Sequence, residues 1–189
     1  MTPNARKFVC AMARGTLAWE ARSGLPAAAA RLISILAVAQ GCIESEGEPP
    51  QPDGSGGWGS SVLYLEANNP FGIKFHMQAW GQITVPTTEY IDGVKKPVMG
   101  QFQRYPDLSY AIEDHAAVLL EHQAIQNALA NGGGLEAVAE ALGPKTSEND
   151  TAHMEYSSAP GYKVLVMEIV TDLKLQQPGQ LEAYAAQAA

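Results

Sequence analysis

Apolar residues recur at helical spacing from the start of the chain, with Phe8, Met12 and Leu17 on one stripe between Thr2 and about Arg22. Thr2-Pro3 supplies a helix start, and Ser23-Gly24 a break. Pro26 suits the first turn of a second helix running to about Ser45. Ala27 to Ala30, Leu32, Ile33, Ile35, Leu36, Val38 and Ile43 leave that helix almost no polar face, so it belongs inside a core. Glu46 to Gly57 is rich in Pro and Gly and reads as an exposed loop. Ser60 or Ser61 can cap a short helix over Val62 to Ala67, and Asn68-Asn69-Pro70 then forces a turn.

At Gln82 the period changes. Ile83, Val85, Thr87, Thr88 and Tyr90 read as a strand, Asp92-Gly93 as a hairpin turn, and Val94 to Tyr105 as the returning strand. Asp107 or Ser109 starts a helix with Ile112, Ala116, Leu119 and Leu120 on one face, ending at Asn131-Gly132 after a break. Leu135 to Leu142 is a short helix closed by Gly143-Pro144, Lys145 to Gly161 is polar and loop-like, and Tyr162 to Leu173 is a last amphipathic helix. The segment from Gln176 is Gln- and Ala-rich and is expected to fray. With no internal repeat and no dividing linker, residues 1–175 form one α+β domain, mostly α, with a β-hairpin lobe at about 82–105 and a flexible tail at 176–189.

Composition narrows the function. A chain of 189 residues, 46% hydrophobic and 17% charged, has enough apolar side chains for one sizeable core. Its net charge of −8, with no basic cluster beyond Lys95-Lys96, argues against nucleic acid or an anionic membrane surface as partner. Cys10 and Cys42 sit in apolar, helix-like sequence and read as buried free thiols. The four His residues show no metal-ligand spacing, so no metal and no organic cofactor are expected. Met1 to Arg14 lacks the pattern of a signal peptide, and the apolar run Leu25 to Ile43, broken by Arg31 and Gln40, is marginal for a membrane span. A monomer without membrane insertion is expected.

Among the carboxylates, Glu44 stands out. It ends an apolar helix, where burial and the negative end of the helix dipole both favour the protonated form. A carboxyl protonated near neutral pH is what a glycosidic leaving oxygen requires. On position alone the alternative is a hydrated Glu in the last turn of a helix. Glu89, just before the hairpin turn, can face Glu44 across a cleft as the second carboxylate of a glycosidase pair, or can be an ordinary surface residue. The aromatic residues crowding these stretches are core or sugar-stacking platforms.

Taken together, the residues resemble the bacterial cell-wall β-N-acetylglucosaminidase family of autolysins and flagellar peptidoglycan hydrolases. The matching pieces are Gly24-Leu25-Pro26, Gln40-Gly41-Cys42-Ile43-Glu44-Ser45, Gly57-Trp58-Gly59-Ser60-Ser61 and Asn69-Pro70-Phe71-Gly72-Ile73-Lys74. Thr87-Thr88-Glu89-Tyr90, Phe102-Gln103-Arg104-Tyr105 and Tyr156-Ser157-Ser158-Ala159-Pro160-Gly161-Tyr162 follow in order. The resemblance implies a lysozyme-like fold, a helical lobe with a small β-lobe, that cleaves the β-1,4 bond after N-acetylglucosamine in peptidoglycan glycan strands at the cell envelope or outside the cell. It carries the catalytic acid onto Glu44 and the hairpin carboxylate onto Glu89, and it makes Trp58, Asn69, Phe71, Tyr156 and Tyr162 substrate-contact candidates. The chain departs from the pattern in three places. Eleven residues, Glu46 to Gly56, separate Glu44-Ser45 from Gly57-Trp58 and read as either a flap over the cleft or a segment that disables it. The helix from Pro26 to Glu44 is longer by about two turns, which keeps its face. Ala159 replaces the late motif's Asp. A lytic transglycosylase or muramidase on the same fold, and a glycan-binding module without turnover, are the competing readings.

Overall fold

The structure, a computed structural model, describes residues 1–91, 94–145, 150–154, 156 and 161–187, with only the backbone described at Glu89, Tyr90, Ile91 and Lys95. Its first helix, α1 (Pro3–Glu20), begins where the Thr2 hydroxyl accepts the Ala5 amide. The second, α2 (Ala27–Glu44), starts one residue after Pro26 and passes through the core, with Ile33, Leu36, Val38 and Cys42 fully buried. It is long and apolar enough to cross a membrane by composition, and 61% of it is buried inside the protein, as the all-round apolar pattern requires. Cys10 and Cys42 are free and buried.

After the loop come α3 (Val62–Ala67), capped by Ser61 and ended by Asn68 in the left-handed region, and a short 3-10 turn at Gln78–Trp80. Strands β1 (Gln82–Ile91) and β2 (Val94–Gln103) pair antiparallel in the register Val85↔Gly100 and Glu89↔Lys96. The Asp92-Gly93 turn itself lies outside the described residues. Helix α4 (Leu108–Glu121), capped by Asp107, gives way at His122 to α5 (Gln123–Ala130), and α6 (Leu135–Ala141) and α7 (Tyr162–Asp172) complete the helical lobe. The expected α+β layout is therefore the observed one: helices packed around α2, and one hairpin standing out from them.

Two segments behave differently from their sequence reading. The stretch after Gln176 forms a helix, α8 (Gln180–Ala185), docked on α1. Leu181 is completely buried there, Glu182 pairs with Arg31 at 2.6 Å, and Arg6 and Arg14 both bond Gln187. A six-residue helix carries too little periodicity to be read from the chain; burying Leu181 contributes roughly 2 kcal/mol that only the tertiary contact supplies. The Glu46–Gly56 insertion, read as a flap over the cleft or a disabling segment, lines none of the cavity that Glu44 reaches. The Ser45 carbonyl accepts the amides of both Ser60 (3.1 Å) and Ser61 (2.9 Å), and the Ser45 hydroxyl accepts the Gly59 amide (2.8 Å). The Ser60 hydroxyl in turn accepts the amides of Gly47 and Glu48. The insertion is thus an excursion whose ends are tied together, leaning on the start of α1, where Gly54 and Gly57 approach Pro3 and Thr2.

Candidate active site

Glu44 reaches an open trough of about 690 Å³ between the helical lobe and the hairpin. Phe71, Gly72, Ile73 and Lys74 line it from the loop after α3, Thr87, Thr88 and Phe102 from the hairpin, Val118 from α4, and Tyr156 from the loop before α7. None of the residues 46–57 lines it. Burial raises the Glu44 carboxyl above its ordinary value of 4.5, and the hydrogen bond from Tyr162 only partly opposes this.

That bond is the centre of a short chain of side chains. The buried Gln40 amide donates to the Tyr162 hydroxyl (3.3 Å), which donates to Glu44 Oε1 (2.8 Å). Gln40 and Glu44 share a face of α2 because four residues separate them. Tyr162 is the first residue of α7, behind Gly161 at φ +86°, and burial pushes its hydroxyl far above the usual range, so it stays a donor. Oε1 is thereby occupied. Oε2 makes no hydrogen bond among the described residues, and Glu44 lines the trough.

The remaining candidates separate clearly. Phe71 stacks on the buried His115 (3.9 Å between ring centroids) and lines the trough. Tyr156 stacks on Tyr162, meets His115 edge-on and donates from its hydroxyl to the Phe71 carbonyl at 3.4 Å. Asn69, expected to touch substrate, is instead fully buried: its amide donates to the carbonyls of Ile73 and Gln103 (both 2.9 Å) and its oxygen accepts the Ile73 amide (3.0 Å). Its side chain is used to hold the trough-lining loop against β2. Trp58 is also away from the trough; it lines a separate cavity of about 460 Å³ with Met1, Pro50 and Tyr184. The Glu89 side chain and residues 157–160 of the late motif lie outside the described residues; the β1 backbone carries position 89 just past Thr88.

Several residues emerge only from the structure. Lys74 lies over the Phe102 ring at 4.4 Å. That ring has room because position 100 is glycine: a Cβ there would sit 2.7 Å from Phe102 and 2.8 Å from Thr87. Among the described residues His115 has no partner for either ring nitrogen, and burial pushes its pKa down to about 3. A lone His among Ile112, Ala116 and Leu119 was the one available signal, and it does not reveal the Phe71 stack.

A trough between a helical lobe and a small hairpin, with a half-buried carboxyl at its wall, is the arrangement of a lysozyme-like fold. The family model described as mannosyl-glycoprotein endo-beta-N-acetylglucosaminidase matches residues 27–175, and the chain belongs to this glucosaminidase family. It is 25% identical over 146 residues to exo-glucosaminidase LytG of Bacillus subtilis (strain 168), covering 77% of this chain and 46% of LytG, so the chain spans about half the length of that relative. Among solved structures, the catalytic domain of the autolysin Auto from Listeria monocytogenes superposes with a TM-score of 0.64 at 18% identity, covering 94% of this chain and 89% of that one. A peptidoglycan hydrolase from Sphingomonas sp. A1 gives 0.55 at 22% identity, covering 98% of each chain. The truncated glycoside hydrolase domain of Salmonella typhimurium FlgJ gives 0.54 at 23%, covering 90% and 97%. At these identities the structures establish the shared fold.

Proposed function

We propose that this protein hydrolyses the β-1,4 bond after N-acetylglucosamine in the glycan strands of peptidoglycan, acting at the cell envelope, with Glu44 as general acid. The observation that carries this reading is the Glu44 carboxyl itself: raised by burial, gripped on Oε1 by Tyr162, and open to a trough of saccharide dimensions. Glu44 Oε2 gives its proton to the glycosidic oxygen as the bond from that oxygen to the sugar's anomeric carbon breaks, and water completes the cleavage. Glu89 is assigned the second role, stabilising positive charge at the sugar carbon or orienting the water. Its place beside the trough-lining Thr87 and Thr88 and its motif support that assignment. The peptidoglycan hydrolase and autolysin relatives support the substrate.

The test is release of reducing ends from purified peptidoglycan. Glu44→Gln is expected to lower the rate about 10²- to 10⁴-fold, the usual worth of a general acid. The same substitution also reports on folding. Because burial raises the Glu44 pKa, its contribution to stability is full below the ordinary carboxyl value and is lost as pH rises through the folded value. The neutral amide escapes that loss, so Glu44→Gln should melt higher than the native protein at neutral pH. Undiminished activity in the variant would remove Glu44 from the mechanism.

A further inference from the structure

A second cavity, about 310 Å³, opens on the flank of α4, lined by Met77, Trp80, Tyr110, Glu113, Asp114 and Ala117. We propose that it is a distal sugar-binding position, which holds a pyranose ring of the same glycan strand away from the bond that Glu44 cleaves. The proposal rests on the glycan-hydrolase reading of the trough and extends it.

The first observation is chemical. Trp80 and Tyr110 meet at a tilt, 58° between planes and 4.9 Å between ring centroids, and Tyr110 is 41% exposed. Two aromatic faces at an angle form an apolar corner for the C–H face of a sugar, and the carboxylates at its rim can accept from the hydroxyls on the ring's edge. One carboxylate, Asp114, is fixed by the Tyr105 hydroxyl and the His76 ring (3.2 Å). The other, Glu113, meets Arg22 through Oε2 at 3.3 Å.

The second observation is structural: the corner is built, not incidental. The fully buried Gln103 side chain accepts the amides of His76 and Met77 and donates to the carbonyls of Met77 and Gly81. It therefore clamps both ends of the 3-10 turn that presents Trp80. Trp80 also leans on the buried Tyr105, with ring centroids 5.8 Å apart.

The third is continuity, and it selects the occupant. Val118 lines the trough and Asp114 lines the second cavity, one turn apart on the same face of α4, about 6 Å along the axis. The segment from Lys74 in the trough to Met77 in the cavity runs beside them, tied by the bond between the Lys74 carbonyl and the His76 ring. The two cavities therefore lie in succession along α4, with the His76–Asp114 bond between them, and a strand extended from the trough along α4 would pass over that bond to the Trp80–Tyr110 corner.

The experiment compares long glycan strands, prepared free of peptide, with a short fragment that fills only the trough. Trp80→Ala and Tyr110→Ala are each expected to raise KM for the long strands about tenfold more than for the fragment, the order expected for one aromatic contact, while Trp80→Phe retains most of the preference. Equal losses on long and short substrates would overturn the proposal. Co-sedimentation with insoluble peptidoglycan in the Glu44→Gln background decides the matter without turnover. Weaker binding on adding Tyr110→Ala, an exposed position whose truncation leaves the core intact, supports the site, and unchanged binding rejects it. If the native protein cleaves neither substrate yet sediments in a Tyr110-dependent way, the hydrolase reading fails and the sugar site stands.

Discussion

Replacing Tyr162 by Phe isolates one bond of the active site. The ring is buried and stacks on Tyr156, so the aromatic packing survives and only the hydroxyl is lost. That hydroxyl donates to Glu44 Oε1 at 2.8 Å. A hydrogen bond to a charged group is worth about 1.5–3 kcal/mol, against about 0.5–1.5 kcal/mol for a neutral pair, so the bond favours ionised over protonated Glu44 by about 1 kcal/mol. Removing it leaves burial unopposed and moves the Glu44 pKa further up. With Glu44 in the proposed role of general acid, the rate falls as pH rises through that pKa, so the alkaline limb of the rate profile should shift to higher pH in Tyr162→Phe. The maximal rate should drop, since the carboxyl loses the contact that orients it. Stability should fall by about 1–3 kcal/mol, because the Gln40 amide nitrogen joins its oxygen, which has no partner among the described residues, as a buried unpaired group. The assay is a pH series of reducing-end release on purified peptidoglycan, with thermal unfolding alongside. An alkaline limb that stays in place, or moves to lower pH, would refute the coupling between the two residues.

Two further perturbations follow. His115→Phe keeps a flat ring against Phe71 and removes two nitrogens that have no partner among the described residues, so it is expected to stabilise the fold by about 1–3 kcal/mol. Its signature is in the pH dependence: with a folded pKa of about 3 against an ordinary 6.5, His115 takes up its proton in the unfolded chain first, so native stability falls as pH drops from 6.5 toward 3. Thermal melts of the variant should lack that decline, and parallel acid curves would reject the reading. Deleting Glu46–Gly56 to join Ser45 to Gly57 should leave reducing-end release close to native, because the neck of the insertion is already closed by Ser45, Gly59 and Ser60. Loss of activity in a deletion variant that still unfolds cooperatively would show that the excursion supports the trough.

The helical lobe was legible because its signals are local. The all-round apolar run from Ala27 predicts a core helix, and Ser61 and Asp107 mark helix starts where the structure has its caps. Glu44 stood out because a carboxyl ending an apolar helix is an unusual placement, and the structure sets it at the end of α2 on the trough wall. What escaped is what depends on distant partners. Asn69 looks like a substrate contact within its motif, yet its amide is consumed by Ile73 and by Gln103, 34 residues away. Trp58 follows Ser45 in the motif, but its ring faces the cavity beside α8. Gln103 reads as one more polar residue on a strand, and its hydrogen bonds to the segments around it become visible only when the chain is folded.

The docking of α8 on α1 sews the two termini of the domain into a single seam. Gln187 spans the middle of α1, bonding Arg6 through its side chain and Arg14 through its carbonyl. Opening α8 exposes Leu181 and strips α1 of the bonds that Arg6 and Arg14 make to Gln187, so the last helix guards the first against proteolytic nibbling.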